Sequence, residues 1–385
     1  MRRTLFPDLF RCFIFMAGAA LGSAHAAPPI ETSADFALIM DYETGEILFE
    51  KAAHVPTAPA SMSKLMTAAI VFEKLQSGEL KLSDQFTASR KAWAKRGSKM
   101  WVGENSKITV ENLLRGVIIQ SGNDACIVIA ENISGSEEAF AALMNAKARE
   151  WGLNDSTFAN ATGWPDPNHK MSMADLGTLA RKIIAEYPEF YAIFAEREFT
   201  WSKIRQNNRN PILGTIEGAD GLKTGHTEES GYGVVGSALV DGVRRIVVVN
   251  GLETSTDRKT ESRRLMDIAF NDFEERRIFS SGAVVGDAEV FAGKAATIPL
   301  VLRDNVDVIL HRSFQDKTNA TVVYEGPVQA PVSAGQQLGF LRVTVDETTR
   351  EYPLFAAKDV PALGFFGKVG LAAKKLLLKK EDAAS

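Results

Sequence analysis

The chain is expected to fold as an α/β (α+β) domain, with an antiparallel sheet and a helical cluster, followed by a small all-β sandwich and a C-terminal amphipathic helix. Three observations predict this. Strand-like runs bracket a helical middle, short strands recur at near-regular spacing beyond Arg277, and a basic stripe faces an apolar one near the end. Phe36–Asp41 and Glu46–Glu50 flank Tyr42-Glu-Thr-Gly45 as a hairpin. A helix is predicted from Ser61 to Leu75, introduced by Pro56 and Pro59, and residues 110–186 read as mainly helical. Glu137–Trp151 is one such helix, with Gly152 as its stop. Gly231–Val240 and Val243–Leu252 are β-rich runs around Asp241-Gly242, a strong hairpin signal, and a helix over Glu261–Phe273 closes the domain. The sandwich is read from Thr297–Leu302, Val306–Leu310, Thr321–Tyr324 and Leu341–Val345. The expected boundaries are 27–276 for the first domain, 277–358 for the β-rich one and 359–385 for the terminal helix.

With 385 residues, the chain has room for two ordinary domains, and its 45% hydrophobic and 24% charged residues are those of a globular protein. A net charge of -4 carries no basic field of the kind that nucleic acid requires. The first residues read as an export signal over 1–26. Arg2, Arg3 and Arg11 precede the apolar run Cys12–Leu21, and Ala24-His25-Ala26 is a small-x-small cleavage pattern. Removing it takes Cys12 and leaves Cys126 alone, so no internal disulfide is expected. In the segment Leu363–Lys380, Lys368, Lys375 and Lys379 share one stripe, while Phe366, Val369, Ala373, Leu376 and Leu377 lie opposite. A helix of that kind lies in a membrane interface, and its lysines are too many for it to span. The expected location is therefore the periplasmic face of a bacterial cytoplasmic membrane, peripherally anchored on an anionic lipid surface.

Three short motifs carry the chemistry. Ser61-Met62-Ser63-Lys64 opens a helix, where residues three apart share a face, so Lys64 can reach the Ser61 hydroxyl. A serine needs a base beside it, and lysine serves only when burial or neighbouring positive charge, here the helix N-terminus and Lys223, lowers its pKa. Ser121-Gly122-Asn123 supplies a second hydroxyl to relay a proton and an amide to hold a substrate carbonyl and orient Lys64. Lys223-Thr224-Gly225 lies in a strand-like run. Lys223 reaches in toward Ser121, the Thr224 hydroxyl binds a carboxylate, and Gly225 leaves the strand edge bare for a peptide. No His/Cys/Asp cluster has the spacing of a metal site, and no cofactor is expected.

In this order the motifs resemble those of penicillin-binding proteins and serine β-lactamases, which implies their transpeptidase-like fold. Gln120–Cys126, Arg205–Asn210, Asp220–Thr227 and Arg258–Ser262 are more closely similar to the low-molecular-mass D-alanyl-D-alanine carboxypeptidases of the penicillin-binding protein 5 type, serine peptidase family S11. The resemblance implies removal of the terminal D-alanine from peptidoglycan stem peptides through a Ser61 acyl-enzyme, covalent inhibition by β-lactams, and a role in cell wall maturation and cell shape. It implies an oxyanion hole from the backbone N–H groups of Ser61 and His226, and Arg209 and Arg258 at the carboxylate end of the cleft. Two alternatives stay open. A D,D-endopeptidase has the same motifs, and a class A β-lactamase adds a water-activating glutamate, for which Glu150-Trp-Gly-Leu-Asn154 is a superficial match.

Overall fold

Apart from Thr67, Leu65–Phe72 has no polar side chain, so a helix made from it is apolar all round and has to lie inside the protein. It does: every residue from Lys64 to Phe72 is buried. The computed structural model describes residues 30–314, 318–345, 348–367 and 369–370. The export signal expected over 1–26 and most of the terminal helix expected over 363–380 lie outside the described residues. Two compact units meet between Asp272 and Phe273.

The first unit runs through β1 (Phe36–Asp41), β2 (Ile47–Lys51), α1 (Lys64–Gln76), β3 (Gln85–Thr87), α2 (Arg90–Ala94), β4 (Lys107–Thr109), α3 (Val110–Ile118), α4 (Asn123–Ser134) and α5 (Glu137–Glu150). It continues with α6 (Met173–Glu186), α7 (Pro188–Tyr191), β5 (Glu198–Trp201), β6 (Ile204–Asn207), β7 (Ala219–Thr227), β8 (Gly231–Val240), β9 (Val243–Leu252) and α8 (Ser255–Asn271). Five antiparallel strands form the main sheet in the order β2-β1-β9-β8-β7, so both ends of the domain share it and β7 is an edge. The β8–β9 hairpin turns at Asp241 (φ 51°) and Gly242 (φ 81°), the paired positive φ of a type I′ turn. β1 is tied to β9 by a buried ion pair between Asp41 and Arg245, and Arg245 Nε also donates to the Ala269 carbonyl of α8 at 3.1 Å. Asp41 accepts in addition from the Thr44 N–H and hydroxyl, both at 2.7 Å, which closes the first hairpin.

The second unit contains β10 (Phe273–Phe279), β11 (Val284–Phe291), β12 (Thr297–Val301), β13 (Val306–His311), β14 (Thr318–Tyr324), β15 (Val328–Gln329), β16 (Gln337–Val345) and β17 (Thr348–Ala356). A six-stranded sheet, β14-β16-β17-β12-β11-β15, and the pair β10-β13 share one core that includes Ile298, Leu300, Val308, Leu310, Leu341 and Leu354.

Some expected boundaries move, for local reasons. A 3-10 turn, Ala60–Ser63, precedes α1, so the helix begins at Lys64 and Ser61 sits in the turn before it. α8 begins at Ser255, ahead of the expected Glu261, because Thr254 and Asp257 form a reciprocal capping box. It stops at Asn271, and the expected domain boundary at 276/277 falls within β10. β10 and β11 escape a reading by apolar runs, since four consecutive charged residues fill the middle of β10 and acids alternate with apolar residues in β11.

Removing one partner of a buried ion pair leaves the other charge poorly compensated. Asp41→Ala is expected to lower unfolding free energy by about 3 kcal/mol in urea titrations, with the slope of the transition unchanged.

Candidate active site

The turn that carries Ser61 is held by close approaches from two sides. Gly163, at φ 71°, has no room for a side chain, because its Cβ position lies 1.9 Å from the Ala60 carbonyl oxygen. On the other side, a Cβ on Gly225 would lie 2.8 Å from the Pro59 carbonyl oxygen and 3.2 Å from the Ala60 Cβ. Gly225 was expected to keep the strand edge bare. Its tighter constraint is contact with the turn, while the bare edge follows from β7 ending the sheet.

Lys64 starts α1 and is 1% exposed. Its Nζ lies 2.7 Å from Ser61 Oγ and 2.5 Å from the Thr162 carbonyl oxygen. The amine's pKa is pulled down to about 8, chiefly by burial, with the charges of Arg209 and Lys95 acting in the same direction. Of the two causes the sequence pointed to, burial leads over neighbouring positive charge. The Thr162 carbonyl, absent from the sequence reading, is delivered by a tight loop. Asn160 Oδ1 accepts from the Thr162 N–H at 3.0 Å and the Trp164 N–H at 3.1 Å, and Thr67 Oγ1 donates to the Ala161 carbonyl at 2.8 Å. Asn160-x-Thr-Gly163 was the available signal, since Asn and Gly together mark such turns. His169, buried against Phe158, accepts from the Ala159 N–H at 3.3 Å. Burial lowers its pKa to about 4, so it adds no charge beside Lys64 at neutral pH.

Ser121 lies between α3 and α4 with φ 56°, a positive value that few non-glycine residues adopt and that here aims its hydroxyl at the strand. Lys223 Nζ donates to Ser121 Oγ at 3.0 Å and to the Thr224 carbonyl at 3.1 Å. Lys223 comes from the middle of β7 and is 3% exposed. Its pKa falls well below the ordinary lysine range, first through burial and then through the charge of Lys64. Thr224 is 5% exposed beside it. His226 is exposed, with its ring stacked on Tyr232 at 3.8 Å between centroids, at one side of a cavity of about 450 Å³ that Thr57 and Thr227 also line.

Asn123 departs from expectation. Its Nδ2 donates to the Arg96 carbonyl at 2.9 Å, and no hydrogen bond among the described residues joins it to Lys64, whose orientation falls to Thr162. The next residue, Asp124, lies outside the three motifs but holds this wall of the site. Its fully buried carboxylate accepts from the N–H groups of Met100 (2.9 Å), Trp101 (2.8 Å), Val102 (3.1 Å) and Ala125 (3.0 Å). An acid in the first turn of a helix was the signal for it. Asp124 and Asn123 together fix residues 96–102 as a strap along the cleft. Gln206 Nε2 holds the strap at the Lys99 carbonyl (3.0 Å) and Arg209 holds it at Ser98 Oγ (2.7 Å).

Arg258 lies over the Tyr232 ring, 5.4 Å from its centroid. Neither Arg209 nor Arg258 pairs with a carboxylate among the described residues. Cys126 is fully buried and its thiol is pushed up to about 12, mainly by desolvation, which marks it as an inert packing residue. Glu150 bonds Lys147 at 3.0 Å, which also holds Glu73 at 2.5 Å, in a surface network with Glu150 more than half exposed.

A family model described as D-alanyl-D-alanine carboxypeptidase, Peptidase S11, matches residues 22–254, and the penicillin-binding protein 5 C-terminal domain matches residues 273–362. The D-alanyl-D-alanine carboxypeptidase DacD of Salmonella typhimurium is 33% identical over 381 residues, covering 96% of this chain and 97% of its own. Among solved structures, the DacD enzyme of Francisella tularensis superposes with a TM-score of 0.80 at 29% identity, covering 89% of this chain and 97% of the other. Penicillin-binding protein D2 from Listeria monocytogenes, in its ampicillin-bound form, superposes at 0.59 with 30% identity, covering 63% of this chain and all of its own. The matches run through both units, and they leave a single assignment: the chain belongs to the Peptidase S11 family of D-alanyl-D-alanine carboxypeptidases.

Proposed function

We propose that this chain removes the terminal D-alanine from peptidoglycan stem peptides by serine acyl transfer, with Ser61 as nucleophile and Lys64 as base. The observation that carries the reading is the buried amine 2.7 Å from the hydroxyl, with a pKa of about 8. An uncharged amine donates one hydrogen to the Thr162 carbonyl and turns its lone pair toward the Ser61 O–H, which an ammonium cannot do.

Ser61 Oγ attacks the carbonyl of the penultimate D-alanine as its proton moves to Lys64. The oxyanion settles between the backbone N–H groups of Ser61 and His226. Ser121, joined to Lys223, relays the proton to the leaving amine, and free D-alanine departs from a Ser61 ester. Water, deprotonated by Lys64, then cleaves that ester and regenerates the hydroxyl. Lys223, Thr224, Arg209 and Arg258 hold the free carboxylate of the substrate. Binding that carboxylate favours the charged form of Lys223, against the burial that lowers its pKa. The peptide backbone pairs with the open edge of β7 beside Gly225, and the remaining amide hydrogen of Asn123 holds a substrate carbonyl. A β-lactam enters the same path and stays on Ser61 as a stable adduct. The Lys147 network supports this over β-lactamase turnover, because it occupies the one glutamate with the matching pattern.

The export signal and terminal helix support a location on the periplasmic face of the cytoplasmic membrane. Phe365 and Phe366 are 76% and 88% exposed, the posture of side chains that wait for an interface.

Ser61→Ala is expected to cut D-alanine release from a D-Ala-D-Ala peptide by at least about 1000-fold and to prevent labelling by fluorescent penicillin. Conversion of cross-linked dimers to monomers, without release of D-alanine, from purified muropeptides would mark an endopeptidase. The rate of penicillin acylation should rise about tenfold per pH unit below roughly 8 and level off above it, as Lys64 loses its proton; a flat profile across this range excludes Lys64 as base. Glu150→Ala should leave the lifetime of the penicillin adduct unchanged. Truncation after Leu363, which keeps the buried Val360 and its backbone bonds to Val332, should abolish flotation with vesicles containing anionic lipid, while leaving soluble D-alanine release intact.

A further inference from the structure

Trp164 follows the loop that clamps Lys64 and is 42% exposed. Gly97, at φ 86°, lies under that ring. A Cβ there would be 2.9 Å from the indole and 2.7 Å from Asn123 Nδ2, so the indole and the Asn123 amide share one wall of the cleft. Asn160 fixes the backbone of Trp164 from both ends, accepting from its N–H at 3.1 Å and donating to its carbonyl at 3.0 Å. Lys95 Nζ lies over the indole, 4.8 Å from the ring centroid, and pairs with no carboxylate among the described residues. It is also near enough to the reaction centre for its charge to bear on Lys64. A cation parked on an exposed aromatic face beside a catalytic cleft gains little in water and is available to a ligand.

The strap gives the direction. Ser98 accepts from Arg209 through its hydroxyl, at the end of the cleft that takes the peptide's free carboxylate, and from the Asn123 N–H through its carbonyl at 2.8 Å, whereas Arg96 and Gly97 meet the Asn123 side-chain amide and Trp164. Lys95 and Trp164 therefore flank the part of the peptide upstream of the scissile bond.

We propose that Trp164 and Lys95 form a specificity subsite for the residue preceding the two D-alanines, taking a side chain with an apolar stem and an anionic tip. The indole covers the methylene stem and the Lys95 ammonium pairs with the tip. This rests on the D,D-peptidase reading of the cleft and adds to it the chemistry of the third residue from the peptide's end.

The test compares N-acetyl-L-Glu-D-Ala-D-Ala with N-acetyl-L-Gln-D-Ala-D-Ala, isosteric peptides that differ in the charge of one tip, by D-alanine release. The wild-type chain should favour the glutamyl peptide by about tenfold in kcat/KM at low salt, the size of one charge-assisted contact, and lose part of that preference at high salt. Lys95→Met should bring the ratio of the two kcat/KM values close to one. Trp164→Ala should raise KM for both peptides more than it lowers kcat, with Trp164→Phe intermediate. Equal use of both peptides by the wild-type chain, or a preference that survives Lys95→Met, overturns the subsite and leaves the peptidase reading standing. Cleavage of neither peptide counts against the peptidase reading itself, and thermal melting of each variant separates lost contacts from lost folding.

Discussion

A lysine amine kept out of water, one short turn from a serine hydroxyl, is the constraint around which the first unit is arranged. Burying Lys64 penalises its charged form, and that penalty makes the amine a base near neutral pH. The burial comes from α1, which is apolar all round and therefore runs through the core, carrying its first residue in with it. Neutralising the amine still leaves its N–H groups in need of a partner, and the Thr162 carbonyl supplies one at 2.5 Å. The loop bearing Thr162 approaches so closely that residue 163 has to be glycine, and β7 approaches from the other side at Gly225. The nucleophile's position is thus set by two backbone contacts that tolerate no side chain.

Asp124 has a parallel role for the opposite wall. A carboxylate that accepts four backbone N–H groups turns an irregular segment into a defined strap. Trp101 holds a positive φ of 70° within that strap, a conformation its own chain would not choose. The strap in turn meets Asn123, Gln206 and Arg209, so it links the second motif to the β5–β6 region, which Gln120 Nε2 also reaches directly at the Phe199 carbonyl (3.1 Å).

The electrostatics of the cleft are one-sided. Lys64, Lys223, Arg209 and Arg258 converge there, and none of them forms an ion pair with a carboxylate among the described residues. The two lysines respond with lowered pKa values, while guanidinium groups keep their charge. A surface left in that state is arranged for an anion that arrives with the substrate, and the free carboxylate of a D-Ala-D-Ala peptide fits that need. The two roles separate by residue type: lysines where a proton has to move, arginines where charge has to persist.

Residues close together in the chain were legible from the sequence because short-range geometry decides them. The Ser61–Lys64 spacing implies contact, Asp241-Gly242 dictates a hairpin, Gly152 ends a helix, and β8 and β9 match their expected ranges residue for residue. The three motifs identified the family for the same reason, since each is a local backbone form bearing a particular side chain. The start of α8 is legible too, in Thr254 and Asp257, a cap that a reading by apolar runs passes over. Tertiary structure alone decided what depends on distant segments meeting. A carbonyl has no signature in sequence, so Thr162 O, 98 residues from Lys64, becomes visible only once the loop is in place. Whether Lys64 is depressed by burial or by Lys223 depends on depth in the fold, and the partner of Asn123 depends on where the strap runs. Helix and turn propensities are properties of a few neighbouring residues, whereas desolvation and backbone contact between remote segments belong to the packed whole.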